Sequence, residues 1–217
     1  MTSRTYDQAC SVANFLDSLG SRWTLLIVRD LMIGPRRFKD LLTGLPGIGT
    51  NRLASRLAEL QEQDILSKAI DPENGASQYK LTKKGRDLEP AILAMARWGM
   101  AHLAEDIEKK LYRPDLLVVA LRAAFNADVA GDISESYELR IGDIIFHATV
   151  EAGRLQTALG PAKQPAFIYI SAEDTFQRIV TGSLDEKLAR HEGKLQIIGD
   201  NKSYRRFLSL FTMSRRT

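Results

Sequence analysis

The 217-residue chain contains one cysteine, three histidines and no long apolar run. A single cysteine, Cys10, cannot build an internal disulfide or a multi-cysteine zinc site, and the histidines are far apart and outside any HExxH spacing. No apolar run approaches the roughly 20 residues that a membrane helix needs. The first residues, MTSRTYDQAC, lack the apolar stretch of a secretory signal. We therefore expect a globular cytoplasmic protein with no metal site, cofactor or membrane association.

Patterns that carry catalysis are also missing from the sequence. There is no paired catalytic constellation and no glycine-rich phosphate loop. Asp174 and His191 are the kind of side chains that catalyse reactions, but nothing in their spacing brings them together. We therefore expect that the chain is not an enzyme.

Positive charge is concentrated in the N-terminal half. The formal net charge is +3, but residues 22–86 hold twelve Lys/Arg against seven Asp/Glu, a net +5. Residues 106–217 hold sixteen against fifteen, a net +1. A phosphate-binding surface would require such an excess, although a solvated surface of mixed charge would show the same balance.

Helical patterns followed by a hairpin pattern fill the first hundred residues. The apolar spacing predicts helices over residues 12–19, 23–32 and 37–42, and a fourth over 51–63 with Thr50 as its N-cap. Strands are predicted over residues 65–70 and 78–81, joined by a turn at Asn74-Gly75. Thr82 is predicted to cap a long helix. This order of elements is typical of a winged helix-turn-helix.

The fourth helix has the pattern of a major-groove reader. Leu53, Leu57 and Leu60 form one apolar stripe, and the polar side chains fall off or beside it, namely Asn51, Arg52, Ser55 and Arg56. Arginine pairs with guanine edges and asparagine with adenine edges. By itself the pattern also fits an ordinary amphipathic surface helix. Lysines on or near the wing, including Lys68 and Lys80, are expected to meet phosphates.

The N-terminal hundred residues resemble the HxlR-type winged-helix transcription regulators, which are related to the MarR group. The resemblance rests on Cys10 and on four blocks in order: LGSRWTLLIVRDLMIGPRRFKDLL, LPGIGTNRLASRLAELQEQDIL, YKLTKKGRDLEP and ARWG. It implies a homodimer on an inverted-repeat DNA operator, with residues 51–63 as the recognition helix. It also implies that Arg36 and Arg37 lie near the DNA backbone. The wing here is shorter and more polar than the proline-containing wing common in the family.

Two further features follow from this resemblance. Leu88, Ile92, Met95 and Gly99, with Phe15 and Leu16, have the spacing of a dimer interface, although they could equally pack within one subunit. Cys10 matches a position at which some members carry a redox-sensing cysteine; the alternative is a small half-buried residue.

The second half has alternating helix and strand patterns and is predicted to be a separate α+β domain. We place the boundary between residues 1–108 and 109–217, near a charged segment that ends in Pro114. The later part resembles the sterol-carrier-protein-type lipid-binding fold through Asp174, Gly182, Gly193-Lys194-Leu195 and Gly199-Asp200. That fold implies a tunnel for an apolar ligand, and its predicted wall is Phe146, Phe176, Ile179, Phe207 and Phe211. Each of these could instead be plain core.

The fold class expected for the whole chain is therefore α+β, a winged helix-turn-helix followed by a sterol-carrier-protein-like domain. The expected function is a DNA-binding transcription regulator, a repressor, whose second domain senses a small hydrophobic ligand. The alternative is a lipid-binding carrier that uses the winged helix only to dimerise.

Overall fold

A computed structural model describes residues 5–102 and 113–211 of the chain. The chain divides into two compact units, Met1–Ile92 and Leu93–Thr217. The domain boundary predicted at residues 108/109 lies outside the described residues and stays a prediction. None of the helices in the described ranges is long and apolar enough to cross a membrane.

The first unit is built from four helices, a two-stranded hairpin and a short fifth helix. These elements are α1 (Ser11–Leu19), α2 (Thr24–Ile33), α3 (Phe38–Gly44), α4 (Thr50–Glu62), β1 (Leu66–Ile70), β2 (Ser77–Leu81) and α5 (Lys83–Arg86). A sixth helix, α6 (Glu89–His102), runs from the first unit into the second. The apolar stripe predicted on α4 is buried, since Leu53, Leu57 and Leu60 are at most 2% exposed. The order of helices and hairpin agrees with the sequence prediction.

The prediction that Thr50 caps α4 is wrong. Thr50 is the first residue of the helix, and the N-cap is Gly49, whose carbonyl accepts the first helical hydrogen bond from the Leu53 amide at 3.1 Å. Gly49 has φ 66°, a conformation that glycine adopts without a steric penalty. The chain therefore enters α4 one residue earlier than the cap preference of threonine indicated.

The long helix predicted after Thr82 is interrupted. Thr82 caps only the short α5, where its Oγ accepts a hydrogen bond from the Gly85 amide at 3.1 Å. Two turn residues follow before α6 begins at Glu89. Pro90 has no N–H to donate to the preceding turn, so it fits the first turn of a helix and not a helix interior. The helix must therefore start again at this point.

The hairpin pairs its strands in a fixed antiparallel register, from Leu66 opposite Leu81 to Ile70 opposite Ser77. In the loop between them Gly75 has φ 69°, as the predicted Asn74-Gly75 turn requires. The segment between α2 and α3 adds a short bridge to this sheet. The Arg36 amide donates to the Tyr79 carbonyl at 3.0 Å, and the Tyr79 amide donates to the Arg36 carbonyl at 2.7 Å.

The second unit is a five-stranded sheet with helices packed against it. Its elements after α6 are a 3-10 turn (Pro114–Leu116), α7 (Leu117–Ala124), α8 (Ala127–Ala130), β3 (Glu135–Ile141), β4 (Ile144–Glu151), β5 (Arg154–Leu159), β6 (Phe167–Ser171), α9 (Glu173–Val180), α10 (Glu186–His191), β7 (Leu195–Gly199) and α11 (Asn201–Ser209). The strand order is β5-β4-β3-β6-β7, and β3 and β6 are the parallel pair. The alternation of helices and strands predicted for this half is present, but the 3-10 turn and the short α8 were not predicted.

One face of this sheet forms the core of the second unit. Alternate residues of β6 (Phe167, Tyr169 and Ser171) are buried, and the matching face of β3 buries Tyr137 and Ile141. Helix α11 packs its aromatic residues against them. The rings of Tyr137 and Phe207 are 4.9 Å apart, centroid to centroid. The second half combines helices with a five-stranded sheet, which confirms the predicted mixture of α and β structure.

Candidate functional site

The start of α4 is the most accessible part of the predicted DNA-binding surface. Thr50, Asn51, Arg52 and Ser55 are all exposed at this end of the helix. Among the described residues Arg52 makes no hydrogen bond or ion pair. The free amide groups and the positive end of the helix dipole lie at this same end and favour a negatively charged partner. The arrangement can therefore bind phosphate and present Asn51 and Arg52 to a ligand.

Ser55 and Arg56 are bound to one carboxylate further along α4. The Ser55 hydroxyl donates to Glu59 Oε1 at 3.0 Å, and Arg56 Nη1 donates to Glu59 Oε2 at 2.5 Å. The Arg56 side chain is 26% exposed and that of Glu59 is 42% exposed. Two of the predicted contact residues are thus held in place by a third residue that the sequence analysis did not single out.

Arg36 and Arg37 lie where the segment before α3 meets the hairpin. Arg36 is half-buried, and its backbone is hydrogen-bonded to Tyr79 of β2. Arg37 is exposed; its amide donates to the Asp40 carboxylate at 3.0 Å, and its guanidinium lies 3.7 Å from the Asp71 carboxylate. The backbone amide of Glu73 is the main cause that lowers the pKa of Asp71, and Arg37 adds to the effect. Part of the positive charge of Arg37 is therefore balanced within the protein.

The two wing lysines do not share a face. Lys68 lies opposite Tyr79 in the hairpin register, and Lys80 lies opposite Ser67. Because neighbouring residues of a strand point to opposite faces, Lys68 and Lys80 point to opposite faces of the hairpin. The Lys68 ammonium lies 5.6 Å from the Tyr79 ring centre. A single groove of DNA would therefore meet one of these lysines more closely than the other.

Cys10 is exposed and precedes α1 as its N-cap residue. Hydrogen bonds from the backbone amides of Ala13 and Val12 lower the pKa of the Cys10 thiol. The thiolate, which is the reactive form, is therefore favoured at this position. The predicted redox role stays a prediction.

The five residues predicted to line a ligand tunnel fall into the core of the second unit or pack against it. Phe146, Phe176 and Phe207 are buried, whereas Ile179 and Phe211 are half-buried. The structure brings Phe207 and Phe211 together, with ring centres 4.7 Å apart. Phe176 instead contacts Tyr169, at 5.8 Å. Their role as a ligand wall stays a prediction.

Two buried hydroxyls on β6 were missed by the sequence analysis. Neither Tyr169 Oη nor Ser171 Oγ has a hydrogen-bond partner among the described residues. Burial raises the pKa of Tyr169 to about 12. The Ser171 hydroxyl is near enough to lower this pKa by a smaller amount, but the two hydroxyls do not have hydrogen-bond geometry. Their i, i+2 spacing on a strand places both on one face, which the sequence could have shown; their lack of partners depends on tertiary packing.

Comparison with known proteins matches the first half of the chain. The model of the HxlR-like helix-turn-helix family matches residues 18–107. An uncharacterized HTH-type transcriptional regulator of Synechocystis sp. is 34% identical over 98 residues, which cover 45% of this chain and 73% of that protein. The HTH-type transcriptional regulator YodB of Bacillus subtilis is 40% identical over 82 residues, 37% of this chain and 73% of YodB.

The solved structure of reduced YodB is 34% identical and covers 45% of this chain and 97% of that chain, with a TM-score of 0.38. Each of these alignments covers less than half of this chain, and the family model ends at residue 107. Within that range fall α2, α3, the hairpin and α4 with its exposed start. The chain belongs to the HxlR-like helix-turn-helix family.

Proposed function

We propose that this chain is a sequence-specific regulator of transcription that binds double-stranded DNA as a homodimer and acts as a repressor. The observation that carries the proposal is α4, whose buried leucine seam leaves Thr50, Asn51, Arg52 and Ser55 exposed at its N-terminal end. Side chains at the start of a recognition helix are those that contact base edges in helix-turn-helix proteins. The relatives named as transcriptional regulators support the same function. A cytoplasmic location would follow from it.

The test is DNA binding by the full chain at several salt concentrations. Fluorescence anisotropy would compare the chain's own upstream promoter with a scrambled duplex of equal length, for the wild type and Arg52→Ala. A bidentate base contact contributes about 1–3 kcal/mol, so Arg52→Ala should weaken promoter binding about 5- to 150-fold. Affinity should fall as salt rises, because binding releases counterions from the phosphates.

Arg154→Ala is the matched control for the loss of one positive charge. Arg154 is exposed on β5 in the second unit, far along the chain from α4. Promoter affinity of this variant should equal that of the wild type. Weak binding that is the same for both duplexes and for both variants would contradict the proposal and favour the carrier function.

The homodimer is proposed from exposed apolar side chains on two helices. Leu16 of α1 is 40% exposed, and Met95 and Trp98 of α6 are 46% and 59% exposed. Ile92, which the sequence analysis placed in the interface, is 6% exposed within one subunit and therefore belongs to the core. Two-fold symmetry would match two half-sites of an inverted repeat. Sedimentation of Met95→Glu should show a monomer where the wild type shows a dimer.

For the second unit we propose a sterol-carrier-protein-like fold that senses a small apolar ligand. Support comes from the sheet with helices over an aromatic core. It also comes from the buried hydroxyls of Tyr169 and Ser171, which have no hydrogen-bond partner in residues 5–102 and 113–211. An effector must bind the DNA-free and DNA-bound states with different affinities. Promoter affinity should therefore change when palmitate, dodecanol or cholesterol is bound. Binding of these ligands with no change in promoter affinity would contradict the sensor function.

A further inference from the structure

Glu59 lies on the polar side of α4 and engages two residues of the proposed DNA-reading surface at once. One carboxylate oxygen accepts from Ser55 at 3.0 Å and the other accepts from Arg56 at 2.5 Å. Residues three and four positions apart on a helix are neighbours, so the backbone itself sets up both contacts. The guanidinium of Arg56 is thereby held in one position along the helix.

The guanidinium of Arg56 can contact Glu59 and a base edge at the same time, because a guanidinium has five N–H donors. The described contact with Glu59 uses one nitrogen, Nη1, and leaves other donors of Arg56 available for a base edge. A side chain that is already fixed loses less conformational freedom on binding than a mobile one. Glu59 therefore favours a complex in which Arg56 makes a directed contact.

The charge of Glu59 acts in the opposite direction on non-specific binding. Attraction between basic side chains and phosphates supplies essentially all of non-specific DNA affinity. A carboxylate beside Arg56 cancels part of that attraction at any DNA sequence. The same residue thus favours directed base contacts and disfavours undirected phosphate contacts.

We propose that Glu59 is a specificity-determining, positioning residue: through Arg56 it raises the ratio of operator affinity to non-specific affinity. This inference rests on the proposed function, because it requires that α4 reads DNA. It assigns to Glu59 no base contact of its own.

The test compares Glu59→Gln with Glu62→Gln in the full chain. Glu62 is exposed at the end of the same helix, so both variants remove one negative charge from α4. Anisotropy would give the dissociation constants for the upstream promoter and for a scrambled duplex, each at several salt concentrations. Circular dichroism and thermal unfolding would confirm that both variants fold, as expected for exposed positions.

For Glu59→Gln we expect tighter binding to the scrambled duplex and an affinity ratio reduced about tenfold, the size of one base contact. For Glu62→Gln both affinities should shift together, so that the ratio stays at the wild-type value. Arg56→Ala supplies the second comparison. If Glu59 acts through Arg56, adding Glu59→Gln to Arg56→Ala should change the ratio no further.

Two results would overturn the inference while leaving the proposed function intact. One is a Glu59→Gln ratio equal to that of the wild type or of Glu62→Gln, with clear promoter preference in the wild type. The other is a loss of ratio that persists in the Arg56→Ala background. A wild type with no preference between the two duplexes would overturn both the proposed function and this inference.

Discussion

The Cys10 thiol is exposed, and nearby backbone amides stabilise its thiolate form. The amides of Ala13 and Val12 lower its pKa, so the thiolate fraction at neutral pH should exceed that of an unperturbed cysteine. We expect iodoacetamide to modify the native protein at a lower pH than the urea-unfolded protein. Intact-mass spectrometry gives a direct measurement, because the chain has one cysteine. Superimposed pH profiles for the native and unfolded chain would refute this expectation.

The Tyr169 hydroxyl offers a test of the second unit at the same scale. A buried hydroxyl without a partner costs about 1–3 kcal/mol, so Tyr169→Phe should raise the free energy of unfolding by about 1 kcal/mol. Tyr137→Phe is the matched control, because the Tyr137 hydroxyl donates to Glu135 at 3.0 Å and its loss should be destabilising. Urea unfolding measures both. Equal destabilisation by the two variants would show that a water or ligand satisfies Tyr169.

Among the elements, α5 depends on the close approach of Gly85 to the backbone of Ile65, the residue before β1. A Cβ at Gly85 would lie 2.0 Å from the Ile65 carbonyl oxygen, which is backbone and cannot rotate away. Gly85→Ala should therefore destabilise the protein by about 3 kcal/mol, at the upper end of overpacking effects. Gly34→Ala is the control, since a Cβ there meets no heavy atom within 4 Å. Urea unfolding of Gly85→Ala that matched the control would disprove the close packing.

How far the elements could be predicted depends on whether their signals are local. The seam on α4 follows from the spacing of Leu53, Leu57 and Leu60, and the structure buries all three. The start of α4 did not follow, because Gly49 takes a positive φ that outweighs the cap preference of Thr50. The lysines of the wing could be identified from the sequence, but the hairpin register could not, because a six-residue loop permits more than one register. The register places Lys68 and Lys80 on opposite faces of the hairpin.

At the scale of the whole molecule, the two halves differ in how much of their site the sequence reveals. The start of α4 is an exposed stretch of consecutive residues, so its side chains could be named before the structure was known. The proposed ligand site draws on strands and helices distant in the chain, and only packing shows that Phe207 contacts Phe211 while Phe176 contacts Tyr169. The contacts of Glu59 with Ser55 and Arg56 are partly predictable from the sequence. Their spacing on a helix permits both contacts but does not require them.

Three buried tyrosines give the protein a predicted alkaline limit. Burial is the main cause that raises the pKa of Tyr137, Tyr169 and Tyr204, with Glu135 adding to the effect at Tyr137 and Glu186 at Tyr204. At high pH the folded state therefore binds more protons than the unfolded state, and stability falls as pH rises. The stabilisation should be complete below the unfolded tyrosine pKa of about 10 and should decline above it.

The measurement is urea unfolding at a series of pH values, followed by circular dichroism and by tyrosinate absorbance at 295 nm. We expect the unfolding midpoint to fall above about pH 10, and part of the absorbance to appear only as the second unit unfolds. Tyr169→Phe removes one of the three groups, so its midpoint should fall less steeply with pH than that of the wild type. If all the tyrosines ionised while the circular dichroism stayed native, burial would not control their titration, and the packing of the sheet against α11 would have to be looser than the structure shows.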